Sequence, residues 1–82
     1  MTTFRTIMSP AEAAQNCMNA IADPNAHVMD IAGYYAEMIV RSGGMDFYPR
    51  VNRAIIERWS PSALKRIKRA AWKMAEAGDV LP

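Results

Sequence analysis

Three times along this chain of 82 residues a side-chain acceptor is followed at once by proline: Ser9-Pro10, Asp23-Pro24 and Ser60-Pro61. An oxygen on Ser or Asp can accept a hydrogen bond from a first-turn N–H. Proline suits the first helical position, where its missing N–H has no intrahelical partner to lose. Such a pair therefore marks a helix start. At Ser9-Pro10-Ala11-Glu12 the signal is doubled, because Glu12 can reach back to the N–H of the cap residue. Stop signals alternate with the starts. Ser42-Gly43-Gly44 and Gly78 supply residues that take left-handed backbone angles without a Cβ clash. Asp46, with Pro49 in the first turn after it, predicts one further start. The punctuation predicts helices over about 10–22, 24–41, 47–59 and 61–77, with 1–8 as a short extended arm and 79–82 as a tail.

Apolar residues recur at helical spacing between these marks. Ala14, Cys17, Met18 and Ile21 share one face of the first predicted helix, with Glu12, Gln15, Asn16 and Asn19 opposite. Val28, Ile31, Ala32, Tyr35, Met38 and Ile39 give the second a broad apolar face, with Glu37 and Arg41 spaced i, i+4 on its polar side. Gly33 within it either weakens the helix by about 1 kcal/mol or permits a close helix crossing. Tyr48, Val51, Ala54 and Ile55 line the third, and Arg50, Arg53 and Glu57 form its polar stripe. The longest segment, Trp59–Gly78, has a seam of Leu64, Ile67, Ala71 and Met74. No strand pair or repeat is legible. The expected fold is all-α: a compact four-helix bundle-like single domain over 1–82 with short loops.

Half the residues are hydrophobic, which argues against disorder. A domain of this size has one small core, and its expected stability is about 5 kcal/mol. The longest apolar runs fall far short of the ~20 residues that cross a bilayer. The start lacks the apolar stretch of a secretion signal, and Cys17 has no second cysteine to pair with. These features predict a cytoplasmic protein without a membrane partner.

Charge is unevenly placed. Residues 1–40 carry Arg5 against Glu12, Asp23, Asp30 and Glu37, whereas residues 41–82 carry nine cations against Asp46, Glu57, Glu76 and Asp79. Five cations fall within nine positions, Lys65, Arg66, Lys68, Arg69 and Lys73, and Trp72 borders them on the helical wheel. An aromatic beside cations can enter a partner's pocket, or stack on a base, while the cations meet carboxylates or phosphates. The competing expectation is a solvated face with Trp72 packed on a neighbouring helix. Candidate partner-binding residues are Lys65, Arg66, Lys68, Arg69, Trp72 and Lys73, with Trp59 as a second aromatic anchor and Arg50 and Arg53 as a further basic stripe.

Chemistry-bearing constellations are sparse. His27 lies between Asp23 and Asp30 on one helical edge, but both acids have simpler roles as cap and solvated residue. Cys17 sits on an apolar face and reads as a small buried side chain. The seven methionines read as core filler or as an adaptable binding surface. There is no phosphate-cradling glycine loop and no Ser-His-Asp set. The expectation is a non-enzyme with no metal and no cofactor.

The third and fourth predicted helices resemble a helix-turn-helix. Ala54, Leu64 and Ile67 occupy its small and apolar positions, and Ser62, Lys65, Arg66 and Arg69 would face DNA. Arg58 stands where that turn usually has glycine, and Arg53 where an apolar residue is usual. In size and style, a stand-alone basic helical domain, the chain also resembles the small accessory proteins that phages encode to inhibit host machinery. That resemblance is of type and rests on no motif; it implies a steric or conformational mechanism. The leading expectation is a protein-binding module whose basic helix meets an acidic surface of a protein partner. Its alternatives are a small nucleic-acid-binding regulator and a homo-oligomeric structural subunit.

Overall fold

Serine caps open the first and last helices. Helix α1, Pro10–Ala22, begins where Ser9 Oγ accepts from Glu12 N–H at 3.1 Å and Glu12 Oε1 accepts from Ser9 N–H at 3.0 Å. Helix α4, Pro61–Ala77, begins where Ser60 Oγ accepts from Ala63 N–H at 3.1 Å, and it ends at Gly78 with φ of 75°. The computed structural model describes residues 9–78. The arm expected over 1–8 and the tail over 79–82 lie outside the described residues.

The helix expected over 24–41 begins later. Asp23 terminates α1, and its carboxylate accepts from Asn25 N–H at 2.9 Å, closing a local turn instead of capping a helix. A short side chain before proline readily does this, since Asp can satisfy its own backbone two residues on and the pre-proline residue favours extended angles. The start is made instead by His27 and Asp30. His27 Nδ1 accepts from Met29 N–H at 3.3 Å, and the Asp30 carboxylate accepts from His27 N–H at 3.0 Å. These contacts open a single 3-10 turn, Val28–Asp30, that runs directly into helix α2, Ile31–Arg41.

Helix α3, Pro49–Arg58, also differs at its start. Tyr48, not Asp46, is the cap residue, and it offers no side-chain hydrogen bond. Pro49 at the first position removes one of the N–H groups that would need a partner. Asp46 is turned to another task, described below.

The described residues form four α-helices and no strand. Helix α2 packs on α1 on one side and on α4 on the other, and α3 likewise touches both α1 and α4. The two remaining pairs, α1 with α4 and α2 with α3, stand diagonally with no close backbone approach. Large side chains fill the space between them. Tyr35, Ile31, Met38, Ile39, Ile55 and Ile67 are fully buried. Tyr35 crosses the diagonal, its hydroxyl donating to Asn52 Oδ1 at 2.6 Å and lying 3.1 Å from the carbonyl of Asp46. Tyr48 reaches back to the carbonyl of Met38 at 3.0 Å, and the two tyrosine rings meet edge to face at 6.1 Å.

The buried faces lie slightly rotated from the predicted seams. In α1 the buried residues are Ala13, Cys17 and Ile21, and Ala14 and Met18 are half-buried. In α4 they are Ala63, Ile67 and Ala71, with Leu64 and Met74 half-buried. Gly33 does not mark a close crossing, because a Cβ built on it would meet nothing within 4 Å.

Candidate functional site

The cations of α4 are distributed by its packing. Ala63, Ile67 and Ala71 face the core, which leaves Lys65, Arg66, Arg69 and Lys73 on the outside, all exposed. Among the described residues no acid lies within ion-pair distance of these four, and the acids of α1 and α2 do not reach them. Glu12 and Asp30 serve caps, Asp23 closes its turn, and Glu37 pairs with Arg41 at 3.2 Å, as the i, i+4 spacing predicts. The uneven charge of the sequence therefore persists in three dimensions.

Lys68 and Trp72 are differently placed. Both are half-buried and both face Asp46 in the loop between α2 and α3. The indole N–H of Trp72 donates to Asp46 Oδ2 at 2.8 Å, and Lys68 Nζ lies 3.6 Å from the same oxygen. The Trp72 hydrogen bond holds the Asp46 carboxyl below the ordinary carboxylate range; partial burial opposes this and Lys68 assists it. Trp72 also packs against the core. The residue read from sequence as a helix cap is thus a latch. It ties the α2–α3 loop to α4 through the aromatic residue that sequence placed beside the basic face. Ser42 tightens the same loop, its hydroxyl accepting from Met45 N–H at 3.0 Å.

Trp59, the second aromatic candidate, is half-buried, and the Arg58 guanidinium stacks 4.7 Å from the centre of its ring. The same guanidinium donates to the carbonyls of Ile21 and Asp23 and, at 3.3 Å, to that of Pro24. The end of α1 leaves carbonyls without intrahelical partners, and a cation there also complements the helix dipole. Arg58, which departs from the helix-turn-helix pattern in sequence, thereby fastens the α3–α4 turn to the end of α1. Sequence reasoning missed this contact, since its partners are backbone atoms more than thirty positions away.

Arg50 and Arg53 are exposed on α3, apart from α4. They border an apolar groove between α1 and α3, and none of its lining residues comes from α4. A more polar cleft runs between α1 and α2, lined by Asn19, Asp23, Asn25, Asp30 and Tyr34 among others.

Among the described residues no three of His, Cys, Asp and Glu gather as a metal site. Cys17 is buried, which pushes its thiol up to about 12 and keeps it protonated at neutral pH. Among the described residues no helix is long and apolar enough to cross a membrane. No protein-family model, curated protein or solved structure matches the chain significantly.

Proposed function

We propose that this protein is a small non-enzymatic protein-binding module of the cytoplasm, acting as a phage-type inhibitor. On this reading it lays the outer face of α4 against an acidic surface of a host protein and blocks that surface. The observation that carries the proposal is the set Lys65, Arg66, Arg69 and Lys73, exposed on one rigid helix without acidic partners among the described residues. Preorganised charge of this kind steers encounter and fixes orientation on an oppositely charged surface. Lys68 and Trp72 support the face from beneath, through Asp46, instead of entering the partner. The mechanism needs neither metal nor cofactor.

Reversing two charges tests it. Lys65→Glu with Arg69→Glu should abolish capture of the partner from nuclease-treated host lysate while helix content by circular dichroism is unchanged. Full capture by that folded variant refutes the assignment of this face.

One observation favours a second reading. Ser62, Lys65, Arg66 and Arg69 are all exposed, on a helix that follows α3 after a tight turn, as a recognition helix would be. A nucleic-acid regulator contacting four phosphates would lose affinity by about 10²-fold between 50 and 200 mM salt. Absence of any salt-sensitive mobility shift with duplex or single strands removes that reading.

A further inference from the structure

Phe47 is 72 % exposed, the most exposed large hydrophobic among the described residues. It stands at one end of the groove between α1 and α3. The floor of that groove is Ala14, Met18, Val51 and Ala54, Arg50 and Arg53 rise at its edge, and Glu57 stands at its far end. Two adjoining hollows of about 330 and 310 Å³ share Met18, Pro49 and Arg50, so the depression continues along α3 from Phe47 to Glu57. The stretch from Arg50 to Glu57 is about 12 Å long at helical rise, or roughly two turns of a helix laid alongside it. An exposed apolar patch rimmed by polar residues is a feature of interaction sites. The methionine thioether lets such a floor adapt to the side chain that enters.

We infer that this groove is a second docking site, distinct from the α4 face, and that its occupant is an acidic amphipathic helix of a partner protein. Apolar residues at i, i+3 or i+4 and i+7 would enter the two hollows. Carboxylates flanking them would meet Arg50 and Arg53. The rim's two guanidiniums outnumber its one carboxylate, Glu57, and so favour an acidic occupant over a basic one. The chain's own residues 1–8 carry Arg5 and no acid. Nucleic acid would find phosphate partners at the rim but nothing for an apolar floor.

The test is selection from a display library of peptides about 14 residues long, using the full chain as bait. The expected winners carry apolar residues at helical spacing flanked by Glu or Asp. Synthetic winners should shift the amide resonances of Met18, Phe47, Arg50 and Ala54, and leave those of Lys65 and Arg69 in place. Arg50→Glu with Arg53→Glu should weaken them at least tenfold and improve binding of the same peptides with Lys for Glu. Phe47→Ala should weaken both forms. All three side chains are exposed, so these variants keep the helix content of the parent. Several results overturn the inference: no enrichment, enrichment of basic sequences, or affinity unchanged by the charge reversal. Shifts confined to α4 overturn it without touching the α4 proposal. A concentration-dependent dimer joined through the groove reassigns it to a second copy, and proton–proton contacts from Phe4 or Ile7 into the groove of the free protein reassign it to the chain itself.

Discussion

Asp46 and Arg58 show how single side chains decide the tertiary arrangement. Asp46 carries a carboxyl pKa lowered first by the Trp72 indole and then by Lys68, against the cost of partial burial. A carboxylate whose pKa is lowered in the folded state contributes stability above its unfolded pKa, about 4, and loses it as pH falls through the folded value. Wild type should therefore be more stable than Asp46→Asn at pH 7. The gap should close as pH falls from about 4 through the native carboxyl's own midpoint. Urea midpoints across that range check the sign; a gap that stays constant would mean that charge at Asp46 is irrelevant. Arg58 tests the fork geometry of a guanidinium. Arg58→Ala should cost about 2 kcal/mol, the usual scale for hydrogen bonds to a charged group. Arg58→Lys should recover less than half, because one ammonium cannot reach three carbonyls from two nitrogens while stacking on Trp59. Equal stability of the lysine variant and wild type in urea would refute the role of the fork.

At the scale of elements, each helix joins a local start signal to a buried stripe. Ser9, Ser60 and Gly78 are legible because a cap and its partner lie within a few residues, so the spacing alone announces the contact. The second start differs from the predicted one because Asp23-Pro24 carries the same pair of residue types but spends its carboxylate on Asn25. The true cap, His27, is an unusual acceptor for that position, and its only sequence signal is Asp30 three residues later. Within α2, Gly33 has helical surroundings and open space where a Cβ would stand. Gly33→Ala should raise stability by about 0.5–1 kcal/mol, through greater helix propensity and a less free unfolded chain. A thermal denaturation midpoint at or below that of wild type would show that the glycine has a packing role.

Across the whole molecule, the diagonal placement of α1 and α4 separates the two candidate surfaces. The basic face belongs to α4, and the apolar groove belongs to α1 and α3, with no lining residue in common. Sites without shared partners behave additively. Lys65→Glu with Arg69→Glu should therefore leave the affinity of a groove-binding peptide within about twofold, measured by fluorescence anisotropy at physiological salt, where exposed charges are largely screened beyond ~8 Å. A tenfold loss would show that the two surfaces form one site.

The all-α class, the exposure of Lys65, Arg66, Arg69 and Lys73, and the serine-capped helix starts are properties of local spacing. Caps act over three residues and apolar stripes repeat every three or four, so the chain determines them before any two helices meet. Tertiary structure alone decided where Asp46, Arg58 and Trp72 point. Each finds its partner across 26 or more positions, Trp72 on Asp46 and Arg58 on the end of α1, and nothing in local spacing encodes such a meeting. The α1–α3 groove has the same origin: Met18, Phe47 and Arg50 belong to separate stretches of the sequence and become one surface when α1 packs on α3.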